Sequence, residues 1–169
     1  MIKIKSKISF KAYVKLLYSL IYRKPMMIVI VCVGLAMLVW ILGYQFNLLP
    51  LPKPLIYQYI TLGLISIVQP LVIYSTIWNN YYSANHLRET LGIEFTKLEI
   101  KIHGESFYTE LTWEKTFKVE ELTNWFLIYQ NNLSAVIVQK KFFTKSQLKD
   151  FKTLLGTIKN IPVKLQEDH

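Results

Sequence analysis

The sequence predicts a membrane α-helical hairpin joined to a small α+β domain. Two long uncharged apolar runs, 26–46 and 55–78, supply the hairpin. After Asn79 charge returns and apolar residues begin to alternate, which supplies the domain. Basic residues crowded ahead of the first run orient both. The expected division is a basic amphipathic segment at 1–24, a two-span hairpin at 25–78 and a cytoplasmic domain at 79–169.

The first 24 residues carry Lys3, Lys5, Lys7, Lys11, Lys15, Arg23 and Lys24 and no acid, whereas all eleven acidic residues lie at or beyond Glu89. The formal charge of +9 is therefore mostly an N-terminal feature, and from Asn79 onward the chain is nearly neutral. Such a block beside a span attracts anionic lipid, so nucleic acid is not an expected partner. Between Ser9 and Lys24, Phe10, Val14, Leu17 and Ile21 recur at helical spacing, with Lys7, Lys11 and Lys15 every four residues on another face. The helix this predicts either lies in the membrane interface, where Lys7, Lys11, Lys15, Arg23 and Lys24 meet lipid heads, or packs its apolar face on the domain.

Met26 to Phe46 runs 21 positions without a charge, enough at about 1.5 Å per residue to cross a hydrocarbon core of about 30 Å. Leu55 to Trp78 is also uncharged. Trp40, Tyr44, Tyr57, Tyr59, Tyr74, Trp78, Tyr81 and Tyr82 mark the span ends, where half-polar rings favour the headgroup zone. The connection from Asn47 to Pro54 holds three prolines and Lys53 alone of the charged residues, so it reads as the outside turn. The positive-inside rule then puts both termini in the cytoplasm, with the chain in the inner (plasma) membrane. The first run starts late and lacks a cleavage pattern, so it is expected to stay rather than leave as a signal peptide. Gln69-Pro70, deep in the second run, predicts either a contact between helices or a passive kink, since proline removes a donor from the helical ladder. Cys32, the single cysteine, can form no internal disulfide.

In the domain, Gly92 to His103 reads as a strand with Leu98, Ile100 and Ile102 on one face, and Phe107, Leu111, Trp113, Phe117 and Val119 carry the period of two onward. Trp125–Gln130 and Leu133–Gln139 flank Asn131-Asn132, a pair that tolerates left-handed turn conformations. Thr144 and Gln147 have capping-box spacing, and Leu148, Phe151, Leu155 and Ile158 give one apolar face to a final helix. An antiparallel sheet with that helix across it buries both.

The succession Trp113-Glu-Lys, Phe117-Lys-Val-Glu120, WFLIYQNN and AVIVQKKFFTKSQLKDFKTLL, behind a basic segment and a two-span hairpin, resembles the YcxB-like family of bacterial membrane proteins. The resemblance implies a pleckstrin-homology-like (PH-like) domain, a curled antiparallel sheet closed by a C-terminal helix. Where that family usually has proline before the basic pair, this chain has Gln139, which is expected to lengthen the last strand. The family brings no catalytic residues to carry over.

His86, His103 and His169 share no metal-ligand spacing, and Glu120-Glu121 point to opposite sides of a strand, so no cofactor and no enzyme activity are expected. Lys140 and Lys141 are candidates for contact with a partner or with acidic lipid heads, or are simply a solvated edge. Trp125, beside Asn124, is a candidate partner contact, and Trp113 is expected in the core. The function expected is binding of a protein partner by a membrane-held domain, with membrane lipids as further partners and a homo-oligomer compatible. An immunity protein guarding its own cell from a toxin is the alternative.

Overall fold

Ile2-Lys3-Ile4-Lys5-Ser6 alternates buried and exposed along its whole length, and it forms the first strand of the protein. The computed structural model describes residues 1–48, 50–132, 134–158 and 161–166. The chain divides into two units, Met1–Ile8 with Ala84–His169, and Ser9–Ser83. The expected segment at 1–24 is thus split, because the isoleucines before Ser6 complete a sheet while the helical spacing begins only at Phe10.

The first unit holds two four-stranded sheets. One runs β1-β2-β3-β4, all antiparallel, from β1 (Ile2–Ser6), β2 (Leu91–Phe95), β3 (Glu99–His103) and β4 (Tyr108–Thr112). The other runs β7-β6-β5-β8, from β5 (Lys118–Glu121), β6 (Trp125–Tyr129), β7 (Ala135–Gln139) and the two-residue β8 (Val163–Lys164), which lies parallel to β5. Outward positions of the first sheet pair opposite charges: Lys3 faces Glu94 at 2.6 Å, and Lys101 faces Glu110 at 3.3 Å with Glu99 at 3.0 Å.

Inward positions of both sheets meet in one core with the helix Lys145–Thr157, α6 in chain order after the single turn α5 (Asn85–Arg88). Phe151 is fully buried, its ring 4.4 Å from Phe95 and 5.0 Å from Phe126. The capping box forms as its spacing requires: Thr144 accepts from the Gln147 amide and the Gln147 side chain accepts from the Thr144 amide.

Three details differ from the pattern read along the sequence. The stretch 92–103 is two strands, because the Thr96 hydroxyl accepts from the Leu98 and Glu99 amides and donates to the Glu99 carbonyl, folding a turn. Leu98 sits in that turn at 79% exposure instead of beside Ile100. Trp113 is buried as expected, but on a 3-10 turn (Trp113–Lys115), its indole N–H donating to the Thr96 carbonyl at 2.9 Å. The chain does not end in the helix, since β8 follows it. Asn131 and Asn132 do join β6 to β7, yet neither has a positive φ; the Asn131 side-chain carbonyl accepts from the Ser134 amide at 2.8 Å instead.

The second unit is helical: α1 (Phe10–Tyr22), α2 (Pro25–Gln45), α3 (Ile56–Gly63) and α4 (Gln69–Ser83). Ser9 caps α1 by accepting from the Ala12 amide at 3.4 Å. Within this unit α1 packs on α4: the Phe10 ring lies 5.1 Å from Trp78 and 5.3 Å from Tyr81, and the Tyr18 hydroxyl donates to the Pro70 carbonyl at 2.8 Å. The deepest α1 side chains are Tyr13 and Leu16, one position off the face read from the sequence. Asn47, at φ 50°, ends α2 in a Schellman turn, with the Leu48 amide bonded to the Gly43 carbonyl and the Asn47 amide to that of Tyr44.

From Ile56 to Ser83 the helix is continuous for 28 residues, but its middle, Leu64–Val68, is a π-helical turn. The cause is Pro70, whose missing N–H cannot serve the carbonyl four residues back; the wider turn lets the Gln69 amide reach the Leu64 carbonyl instead. Pro25–Gln45 and Ile56–Ser83 are both long and apolar enough to cross a membrane, and only 11% and 6% of their most apolar stretches are buried by protein.

Candidate partner-binding groove

The β6–β7 hairpin decides which main-chain groups stay free. Gln130 donates to Ser134 and Lys140 to Asn124, each at 2.9 Å, so Ile128↔Val136 and Phe126↔Val138 are the hydrogen-bonded pairs. The amides and carbonyls of Ala135, Ile137 and Gln139 therefore point away from β6, and β7 is the outermost strand of its sheet. Beside that edge runs a groove of about 450 Å³. Its apolar lining includes Leu91, Ile102, Phe107 and Val136, its polar lining Asn85, Thr109, Gln130 and Ser134, and no Lys, Arg, Asp or Glu among the described residues takes part. His86 is at its rim, edge-on to Phe107 at 6.0 Å.

The loop between β3 and β4, which carries Phe107 into the groove, is held from outside. Glu89 accepts from the amides of Glu105 and Ser106 at 2.7 and 3.0 Å and from the Ser106 hydroxyl at 2.5 Å. The Ser106 hydroxyl, with these amides, holds the Glu89 carboxyl below its ordinary range. Gly104 makes the close approach possible, since a Cβ there would stand 2.7 Å from the Glu89 carboxylate and 2.5 Å from the Phe107 ring.

At the far end of β7 the basic pair separates by role. The Lys140 ammonium lies 2.5 Å from Glu121, whose side chain is wholly buried, and Lys152 approaches the same oxygen at 3.1 Å. The other Glu121 oxygen accepts from the Gln166 amide at 3.0 Å. Burial pushes this carboxyl up, but the Lys140 ammonium, the Gln166 amide and Lys152 outweigh burial and leave it below its ordinary value. Lys141 is exposed, with its ammonium 4.9 Å from the Phe142 ring.

Residues 95–155, from the end of β2 into α6, match the family model described as YcxB-like protein. Over this segment the chain is similar to the YcxB-like family. No curated protein and no solved structure matches the chain. The matched segment contains β7, Glu121 with Lys140 and Lys152, and one wall of the groove; β1, Ile8, the Asn85–Arg88 turn, β8 and Gln166 lie outside it.

The residues singled out in the sequence are not gathered into one site. Trp125 is only 7% exposed, on the face of β6 opposite the core residues Phe126 and Ile128, so it offers no open contact surface. Lys140 is committed to Glu121 by the turn Lys140–Phe142, so only Lys141 of the pair is free to meet a partner. Lys7 is not on α1 but in the connection before it, lining a small polar pocket with Arg88, Glu89 and Glu105. Lys11 and Lys15 are exposed on α1, and Arg23 and Lys24 are exposed between α1 and α2. Gln69 donates to the Met27 sulfur at 3.3 Å, a helix-to-helix contact, and Pro70 is the origin of the π turn. His86 and His103 stand apart, His169 lies outside the described residues, and no group of three or more His, Cys, Asp or Glu among the described residues could hold a metal. Sequence reading missed the groove itself; the uncharged run Ala135–Gln139 was its one visible signal.

Proposed function

We propose that this protein is a two-span membrane protein whose β domain works on the cytoplasmic side as a non-enzymatic binding module for a protein partner. Several observations support the membrane reading. The two long helices are left uncovered by protein, and at about 42 Å the second exceeds a hydrocarbon core of about 30 Å, putting Tyr81 and Tyr82 among the headgroups. Seven basic residues precede Pro25 and Lys53 is the only charge between the spans, so both termini are cytoplasmic. Two four-stranded sheets sharing a core with one long helix support a PH-like reading of the domain.

The observation that carries binding is the uncharged groove beside the unpaired edge of β7. Contact of the domain with anionic lipid is favoured separately by Lys141, Lys145 and Lys149, exposed and four residues apart. A photo-crosslinking residue placed at Thr109 in the groove, or at Lys145, in full-length protein in intact cells separates the two. A discrete protein adduct from Thr109 is expected. Lipid adducts from Lys145 with no protein adduct from either position would contradict the binding-module reading.

A further inference from the structure

We propose that the groove receives an extended, uncharged segment of the partner as an added strand on β7, a reading that rests on the domain being a binding module. Main-chain groups make the first argument. Ala135 and Ile137, two residues apart, direct amides and carbonyls off the open edge, the repeat with which an extended chain bonds to a strand.

A comparison of edges makes the second. On the outer side of β1 the Gln147 side-chain amide donates to the Lys3 carbonyl at 3.1 Å, so that edge is covered. Glu110 guards β4 with a charge, and β8 is only two residues long. Ala135-Val-Ile-Val-Gln139 has no charge, no proline and an uninterrupted register with β6. Open edges are normally blunted by such devices, and their absence on one strand, beside a groove, marks that strand for pairing.

Backbone geometry and charge identify the occupant. The groove follows Ser134 to Ile137, three rises or about 10 Å along the edge, and an added strand lies about 4.8 Å from the one it pairs with. With no Lys, Arg, Asp or Glu in the lining among the described residues to compensate a charge, a charged segment would lose hydration without a partner, whereas apolar and Ser, Thr or Asn side chains find both apolar neighbours, Ile102 and Val136, and polar ones, Asn85 and Gln130.

The test pans a random nine-residue peptide library against the full chain in phosphatidylcholine nanodiscs, with empty discs as control. Uncharged peptides with alternating apolar residues should be enriched, and should bind Ala135→Pro about tenfold more weakly, since this change removes one outward donor and no bond to β6. Ile137→Lys, which puts a charge on the edge without touching the main chain, should weaken them at least as much, and Lys141→Glu should leave them unchanged. No enrichment over empty discs, or equal binding by both β7 variants, overturns the proposal. So does enrichment of acidic peptides lost with salt and with Lys141→Glu, and so does a dimer that Ile137→Lys dissociates. A protein adduct from Thr109 alongside a failed selection would defeat the added strand and leave the binding module standing.

Discussion

Replacing Lys140 by Ala should destabilise the β domain severely, whereas Lys141→Ala next to it should change almost nothing. Glu121 is held without solvent contact by ammoniums whose side chains are themselves only 17% and 19% exposed. Removing one partner of a buried pair typically costs about 3–5 kcal/mol, because the remaining charge keeps its desolvation penalty. Lys152 and the Gln166 amide stay in place, which lowers the expectation for Lys140→Ala to about 2–4 kcal/mol. For a domain of this size that is roughly 10 to 25 °C in midpoint. Exposed Lys141 should stay within about 0.5 kcal/mol of the parent. Thermal melts of the full chain in detergent, followed by near-ultraviolet circular dichroism, read the difference. The cluster also sets the acid limit: the lowered carboxyl contributes stability above the ordinary carboxylate value, lost as pH falls below about 4.5 and through the folded value. Glu121→Gln should remove that part of the acid transition. Equal midpoints for the two lysine variants would refute the reasoning.

Two further outcomes follow from packing. Ile4→Asp places an unpaired carboxylate in the core between β2 and α6, so the domain should lose its cooperative melt; an N-terminal segment lying free of the sheet would tolerate the change. Gly34→Val should loosen the helix pair, because even a Cβ at Gly34 would stand 2.9 Å from the Ile65 side chain, and disulfide yield between Met27→Cys and Gln69→Cys in a Cys32→Ser background should fall.

What could be read in the sequence was whatever repeats locally. The two apolar runs, the Thr144–Gln147 cap and the Trp125–Gln139 hairpin are each legible within one unbroken stretch of sequence. Ile2–Ser6 alternates just as plainly, but its lysines drew the segment toward the membrane block, and its partner strand lies some 90 residues away. Leu98 kept the apolar rhythm of Gly92–His103 although Thr96 turns the chain there, so a period of two continued across a reversal. The fate of Lys140 depends on Glu121, nineteen residues earlier on another strand, and of two adjacent glutamates nothing local says which turns inward. The groove was least legible: which β7 amides face outward follows from the hydrogen-bonding phase of the hairpin, and its walls come from Ile8, the Asn85–Arg88 turn and β4.

The measurement that bears most directly on the account is cysteine accessibility in intact cells. In a Cys32→Ser background, single cysteines at Asn47 and at Lys141 are challenged with a membrane-impermeant maleimide before and after the inner membrane is opened. The account predicts that Asn47→Cys reacts in intact cells and that Lys141→Cys reacts only once the membrane is breached, as the proposed orientation requires. Labelling of Lys141→Cys from outside, with Asn47→Cys protected, would reverse the orientation and place the groove where no cytoplasmic partner could reach it.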